Sequence, residues 1–210
     1  MFVPHSRGPA MDVDYYFSPQ SPWTYLDHQR FHDIARRAGA SINVLPVDLG
    51  GKVFPVSGGL PLAKRAPQRQ AYRLVELKRF SQWLDAPLNL QPKYFPVSPD
   101  DAAHLTIAVD LQRGTEDAMR FAGALMRALW VEERNIADEA TLANLLAEQN
   151  LPAALMDDAH SQAVHERYER DTERAIQAGV FGAPSYVIEG EIFWGQDRLD
   201  FVERRLASAT

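Results

Sequence analysis

Residues 13–26 read VDYYFSPQSPWTYL and join a strand-like segment to the start of a helix. Residues 13–17 are rich in β-branched and aromatic side chains, which predicts a β-strand. Serine is a preferred N-cap and proline a preferred first helical residue, so Ser21-Pro22 predicts the beginning of a helix. Apolar residues then recur at helical spacing as far as Gly39, where we expect the helix to end. Residues 41–47 (SINVLPV) predict a second strand, which completes a βαβ unit.

Strand signals disappear in the middle of the chain and return near its end. A loop rich in glycine and proline is predicted over 48–67, and the block that follows carries only helical patterns. The predicted helices lie around 72–84, 104–111, 121–129, 139–147 and 152–178. Two short strands, at 185–188 (SYVI) and 191–194 (EIFW), flank a two-residue turn, and a final helix is predicted over 197–206.

This order predicts an α/β fold: a thioredoxin-like βαβ…ββα domain with an inserted all-helical domain. We expect residues 1–10 to form a flexible leader. Residues 11–66 and 179–210 are then the thioredoxin-like domain, and residues 67–178 are the helical insertion.

Composition excludes several classes of function. The 210 residues contain no cysteine, which rules out disulfides, thiolate metal sites and dithiol redox chemistry carried by the protein itself. A formal net charge of -6 argues against a nucleic-acid partner. No apolar run approaches the roughly 18 residues that a membrane span needs, so no membrane partner is expected. The N-terminal MFVPHSRGPA lacks the apolar core of a signal peptide, which makes the cytoplasm the default location.

Three blocks carry a resemblance to a known family: residues 13–26, residues 58–77 (GGLPLAKRAPQRQAYRLVEL) and residues 179–206 (GVFGAPSYVIEGEIFWGQDRLDFVERRL). They resemble the 2-hydroxychromene-2-carboxylate isomerase family, whose relatives are kappa-class glutathione transferases and DsbA-like proteins. The resemblance implies a glutathione cofactor and an aromatic oxo-acid substrate. It also implies a reaction in which the thiol adds to the substrate, a transient single bond rotates, and the thiol is eliminated unchanged. It allows a homodimer, although no feature of the sequence establishes one.

Ser21 is the candidate catalytic residue. Proteins of the resembling fold place their reactive group at the N-terminus of the first helix, where free N–H groups and the helix dipole favour an anion. A hydroxyl cannot exchange with a disulfide, but it can donate a hydrogen bond to the thiolate of a bound glutathione. The alternative is that Ser21 only caps the helix.

Ala183-Pro184 resembles the cis-proline turn that faces the active site in thioredoxin-like folds. The resemblance implies that the backbone of Ala183 pairs with the peptide backbone of glutathione. It also implies that Gln196 and Asp197 hold the γ-glutamyl group. An ordinary proline at a strand entry and a helix-capping role for Asp197 remain open as alternatives.

Basic residues near the start of the third predicted helix are candidates for the glycine carboxylate of glutathione. Counting from the family pattern places this role on Arg69, with Lys64 as a second candidate. A solvated helix face is the alternative. Family members carry an asparagine in the preceding loop, whereas this chain has Gly58-Gly59-Leu60-Pro61, which weakens the case for glutathione.

Four aromatic residues are candidates for the substrate pocket, with ordinary packing as the alternative: Trp23, Tyr94, Phe95 and Trp194. His28 and His32 lie one helical turn apart, a spacing that can bind metal. Because no third ligand is evident, we expect a surface pair and no metal site.

The resemblance favours an isomerase that uses glutathione. Two other functions stay open at this point. One is a kappa-like glutathione transferase, which releases a conjugate, and the other is a thioredoxin-like binding module without catalysis.

Overall fold

The βαβ unit forms as predicted in the computed structural model, which describes residues 11–208. Strand β1 (Asp12–Phe17) leads into helix α1 (Pro22–Ala38), and strand β2 (Ser41–Pro46) returns parallel to β1. Ser21 caps the start of α1, and Gly39 ends it with a left-handed φ of 68°. Glycine suits this position because it adopts positive φ without strain.

The middle of the chain is helical. Six helices follow one another here: α3 (Pro67–Trp83), α4 (Asp100–Arg113), α5 (Thr115–Trp130), α6 (Glu139–Glu148), α7 (Leu155–Ala159) and α8 (Gln162–Gln177). The single helix predicted over 152–178 was wrong, because Ser161 accepts a hydrogen bond from Val164 N at 3.4 Å and starts α8 as a separate helix.

The segment predicted as a loop contains short helical turns. A π-helical turn covers Leu49–Val53, helix α2 covers Phe54–Ser57, and a 3-10 turn covers Leu62–Lys64. Asp48 stabilises the first turn, because its Oδ1 accepts a hydrogen bond from Gly51 N at 2.6 Å. No helix within residues 11–208 is long and apolar enough to cross a membrane.

The sheet is completed by the hairpin of β3 (Ser185–Ile188) and β4 (Glu191–Trp194). Its strand order is β2-β1-β3-β4, and β3 is antiparallel to both β1 and β4. A 3-10 turn (Gln196–Arg198) and helix α9 (Leu199–Ala207) end the fold. The predicted α/β class is confirmed, whereas the domain boundaries stay predictions and the predicted leader lies outside the described residues.

Strand β1 separates two hydrophobic clusters. Val13, Tyr15 and Phe17 face the larger one, which includes residues of α1, α4 and α5. Tyr16 faces a smaller one together with Leu45 of β2. Alternate side chains of a strand point to opposite faces, so β1 is buried on both sides.

Candidate active site

A cleft of about 860 Å³ opens beside the N-terminus of α1. Its walls come from six parts of the fold: the start of α1, the segment after β2, the first half of α3, the segment around 95–100, the turn before β3 and the end of β4. Small-molecule sites in proteins occupy about 300–1,000 Å³. A second cavity, near His32 and Glu116, holds only about 260 Å³. The larger cleft is therefore the candidate active site.

Ser21 lines this cleft and is 8% exposed. Its Oγ accepts a hydrogen bond from Thr24 N at 3.3 Å, which is the N-cap interaction expected from the sequence. Within the described chain the hydroxyl donates no hydrogen bond, so its hydrogen is free to point at a ligand. Capping and ligand binding are therefore compatible, since the cap uses the oxygen as acceptor and leaves the hydrogen.

The N-terminus of α1 is suited to an anion. The helix is 17 residues long and carries no acidic residue in its first turn, so nothing in that turn offsets the positive end of the helix dipole. An anion placed beside Ser21 is thus favoured by both the hydroxyl and the helix end.

The turn before β3 faces the same cleft. The Ala183–Pro184 peptide bond is cis, as predicted, and Gly182 and Ala183 both line the cleft. Within residues 11–208 the backbone N–H and C=O of Ala183 make no hydrogen bond. A Cβ on Gly182 would lie 2.3 Å from Trp194 Nε1, so only glycine lets the indole pack this closely.

Three of the four predicted aromatic residues line the cleft: Trp23, Phe95 and Trp194. Trp23 packs edge-on against Phe80 of α3 with ring centroids 6.1 Å apart. The exposed Trp194 packs on Phe181 at 4.7 Å. Tyr94 does not line the cleft. It lies against the hydrophobic core, with Lys93 Nζ 5.0 Å from its ring centroid.

A row of arginines forms the α3 side of the cleft. Arg65, Arg69 and Arg73 all line it, four residues apart. Arg69 and Arg73 lie on α3, where residues at this spacing share one helix face, whereas Arg65 precedes the helix. Sequence reasoning found Arg69 but missed Arg65 and Arg73, although their spacing was a visible signal. Lys64, the second candidate, is exposed and does not line the cleft.

The arginines differ in their surroundings. Arg65 Nε donates to Leu60 O at 2.8 Å, so part of its guanidinium is used to hold the preceding loop. Arg69 is exposed at the cleft and forms no ion pair with any residue in 11–208. Burial and the nearby Arg65 charge lower the pKa of Arg73 to about 10, which still leaves it protonated at neutral pH.

Neither Gln196 nor Asp197, the residues predicted to hold the γ-glutamyl group, lines the cleft. Their role stays a prediction. Gln196 is 3% exposed, with its Oε1 buried and without a partner in the described chain. Asp197 is exposed and pairs with Arg198 at 2.7 Å. Sequence reasoning also missed two other acidic residues that do line the cleft, Asp48 and Asp100.

A buried polar group anchors α1 behind Ser21. His28 accepts a hydrogen bond from Tyr15 OH at 2.9 Å on Nδ1 and donates from Nε2 to Met119 O at 2.8 Å. Burial lowers the pKa of His28 to about 4, so the ring is neutral. Asp27 accepts from Tyr186 OH, and burial raises the pKa of this carboxyl.

The prediction that His28 and His32 form a surface pair was wrong. His28 is 5% exposed, whereas His32 pairs with Glu116 at 3.1 Å. The apolar residues around position 28 follow helical spacing, and this was the signal that it faces the core. Among the described residues no group of three or more histidine, aspartate or glutamate residues could hold a metal ion.

Comparisons with known proteins identify the family of the chain. The model of the DSBA-like thioredoxin domain matches residues 12–207. A 2-hydroxychromene-2-carboxylate isomerase of Sphingobium xenophagum is 30% identical over 195 residues, 92% of this chain and 97% of that protein. One of Pseudomonas putida is 28% identical over 196 residues, 92% and 93% of the two chains. A solved structure of 2-hydroxychromene-2-carboxylate isomerase matches with a TM-score of 0.79 at 27% identity, covering 94% of this chain and 95% of that one. The chain therefore belongs to the DSBA-like thioredoxin domain family and, within it, to the 2-hydroxychromene-2-carboxylate isomerase family, so it is an isomerase.

Proposed function

We propose that this isomerase acts on 2-hydroxychromene-2-carboxylate or a related aromatic oxo-acid, and that it uses glutathione whose thiol is activated by Ser21. One observation carries the proposal. In a chain without cysteine, the residue at the N-terminus of α1 is a serine that lines the cleft with its hydroxyl hydrogen uncommitted.

The energies are sufficient for this role. An ordinary thiol has a pKa of about 8.5, and lowering it to about 7 requires roughly 2 kcal/mol. A hydrogen bond to a charged group contributes about 1.5–3 kcal/mol, and a helix N-terminus adds about 0.3–1 kcal/mol. Ser21 and the end of α1 together therefore suffice to keep a bound thiol largely ionised at neutral pH.

Groups that fit glutathione are present around Ser21. The free backbone N–H and C=O of Ala183 suit pairing with a peptide backbone, as in an added β-strand. The unpaired guanidinium of Arg69 suits the glycine carboxylate. Neither Gln196 nor Asp197 is needed for these contacts.

Glutathione supplies a nucleophilic thiol that is returned unchanged, so the reaction needs no net oxidation or reduction. The residues of the chain then have three tasks. Ser21 holds the sulfur at the helix end as an anion, Ala183 and Arg69 fix the tripeptide, and the aromatic rings of Trp23, Phe95 and Trp194 exclude water around the substrate.

The proposal is tested by replacing Ser21. We expect Ser21→Ala to lower kcat about tenfold or more, because a hydrogen bond contributing about 1.4 kcal/mol is lost from the transition state. Ser21→Asp separates capping from catalysis, since aspartate caps a helix as well as serine but cannot donate a hydrogen bond when ionised. It should therefore retain the fold and lose activity.

Ser18→Ala is the matched control, because Ser18 lines the same cleft but lies before the helix. It should change kcat less than twofold. Wild-type kcat in Ser21→Asp would refute the role of Ser21. A stable glutathione adduct, detected by mass spectrometry of the product, would instead indicate a transferase.

A further inference from the structure

Arg73 has surroundings unlike those of the other cleft arginines. Its Cζ lies 5.0 Å from the ring centroid of Phe95 and 5.8 Å from that of Trp130. Its Nη2 is buried and has no hydrogen-bond partner within residues 11–208. No carboxylate in that part of the chain forms an ion pair with it, and the charged neighbour that shifts its pKa is another arginine, Arg65.

A second unpartnered donor lies in the same aromatic cluster. Trp130 is fully buried, and its Nε1 has no acceptor among the described residues. Its ring lies 4.8 Å from that of Phe95. Buried N–H groups in proteins are nearly always paired, and a buried cation needs a counter-charge. Arg73 lines the cleft whereas Trp130 does not, so the unpaired guanidinium of Arg73 is the group that indicates a site for an anionic acceptor in the cleft.

Arg73 and Ser21 line the same cleft. Val97 N donates a hydrogen bond to Gln20 Oε1 at 3.4 Å, which ties the loop carrying Phe95 to the residue just before Ser21. Arg73 lies one helical turn beyond Arg69, or about 6 Å along α3, and is the less exposed of the two. A ligand held by Arg73 is thus inside the cleft rather than at its mouth.

We propose that Arg73 binds the carboxylate of the aromatic oxo-acid and so selects acids as substrates. The inference rests on the proposed function and adds the residue that recognises the second ligand. A guanidinium binds a carboxylate through two parallel hydrogen bonds, and Phe95 in the cleft lining suits an aromatic ring better than a peptide. The carboxylates of glutathione share this chemistry, and the test distinguishes the two sources.

The experiment measures binding of benzylidenepyruvate and its methyl ester by calorimetry, without glutathione. Wild-type protein should bind the acid about tenfold or more tightly than the ester. Arg73→Met should abolish this preference and keep the affinity for the ester. Arg79→Met removes a cation from the same helix at an exposed site paired with Glu76, and should keep the preference.

If Arg73→Met fails to fold, as judged by near-ultraviolet circular dichroism, Arg73→Lys replaces it. Lysine keeps the positive charge but cannot form two parallel hydrogen bonds to a carboxylate, so most of the preference for the acid should still be lost.

An unchanged preference for the acid in the Arg73 variant overturns the inference, as does equal binding of acid and ester by the wild type. A loss of glutathione affinity alone, with the acid preference intact, also overturns it, because the carboxylate would then belong to glutathione. Failure of glutathione to bind the wild type contradicts the proposed function and leaves the acid–ester comparison standing.

Discussion

The two helices that face each other across the cleft are built differently. Helices α1 and α3 have the same length of 17 residues, but eight residues of α1 are buried whereas Leu77 is the single buried residue of α3. The α1 wall presents mainly groups fixed by the backbone: a helix N-terminus, a capping hydroxyl and the turn at Ala183. The α3 wall presents long cationic side chains.

This difference separates two tasks. In the proposed function the α1 wall meets the thiol. This wall is set by the core of the fold, so a substitution there should affect both stability and the chemical step. The α3 wall, proposed to meet the carboxylates, is set by side chains on a lightly buried helix, so a substitution there should change affinity and leave the fold intact. Substrate choice can therefore vary through α3 without disturbing the chemistry at α1.

The largest expected effect concerns the anchoring of α1. The pKa of His28 is lowered from 6.5 to about 4 by burial, so the folded state binds its proton less readily than the unfolded chain. The contribution of neutral His28 to the free energy of unfolding is complete above pH 6.5. It is lost as the pH falls towards 4, and the total loss is about 3 kcal/mol. Denaturant unfolding of the wild type should show this loss.

His28→Gln is the comparison variant, because glutamine does not titrate. Asp27 is present in both proteins, and since burial raises its pKa it acts in the opposite direction. The difference between the two pH profiles therefore reports His28 alone. Parallel profiles between pH 6.5 and 4 would show that the pKa of His28 is not lowered in the folded protein.

A smaller effect is expected on the α3 wall. Arg69→Met should raise KM for glutathione about tenfold and change kcat little, because it removes binding that ground and transition states share. The thermal midpoint should stay within the scatter of surface substitutions, since Arg69 is exposed. Steady-state kinetics measure the KM for glutathione in Arg69→Met and in the control variant Arg79→Met. An equal KM in the two variants would contradict a role of Arg69 in binding glutathione.

The smallest effect is expected where the turn before β3 meets Trp194. Gly182→Ala places a methyl group 2.3 Å from Trp194 Nε1, so the half-exposed indole must move. We expect kcat/KM to fall about threefold, which is less than 1 kcal/mol, together with a change in tryptophan fluorescence. If fluorescence changes and kcat/KM does not, Trp194 is no part of the substrate pocket.

The backbone framework of the site was predictable from the sequence. Short-range rules place Ser21 as a cap and Gly39 as a stop, and they place the hairpin turn at Glu189-Gly190. The cis bond before Pro184 came from the family resemblance, and the structure contains it.

The side-chain framework was less predictable, because it depends on contacts between distant parts of the chain. The surroundings of Arg73 include the ring of Trp130, which is far away in sequence. Periodicity alone marks Trp130 only as part of a helix. Gln196 and Asp197 follow the family pattern, yet one is buried and the other is paired with Arg198. Such placements follow from tertiary packing and not from local propensity.

The ionisation of bound glutathione tests the central claim most directly. The ultraviolet absorbance of the thiolate is titrated against pH in the wild type, in Ser21→Ala and in Ser21→Asp. We expect a thiol pKa of about 7 or lower in the wild type and an increase of about one unit or more in both variants. The same thiol pKa in all three proteins would contradict the claim that the Ser21 hydroxyl activates a thiol supplied by the ligand.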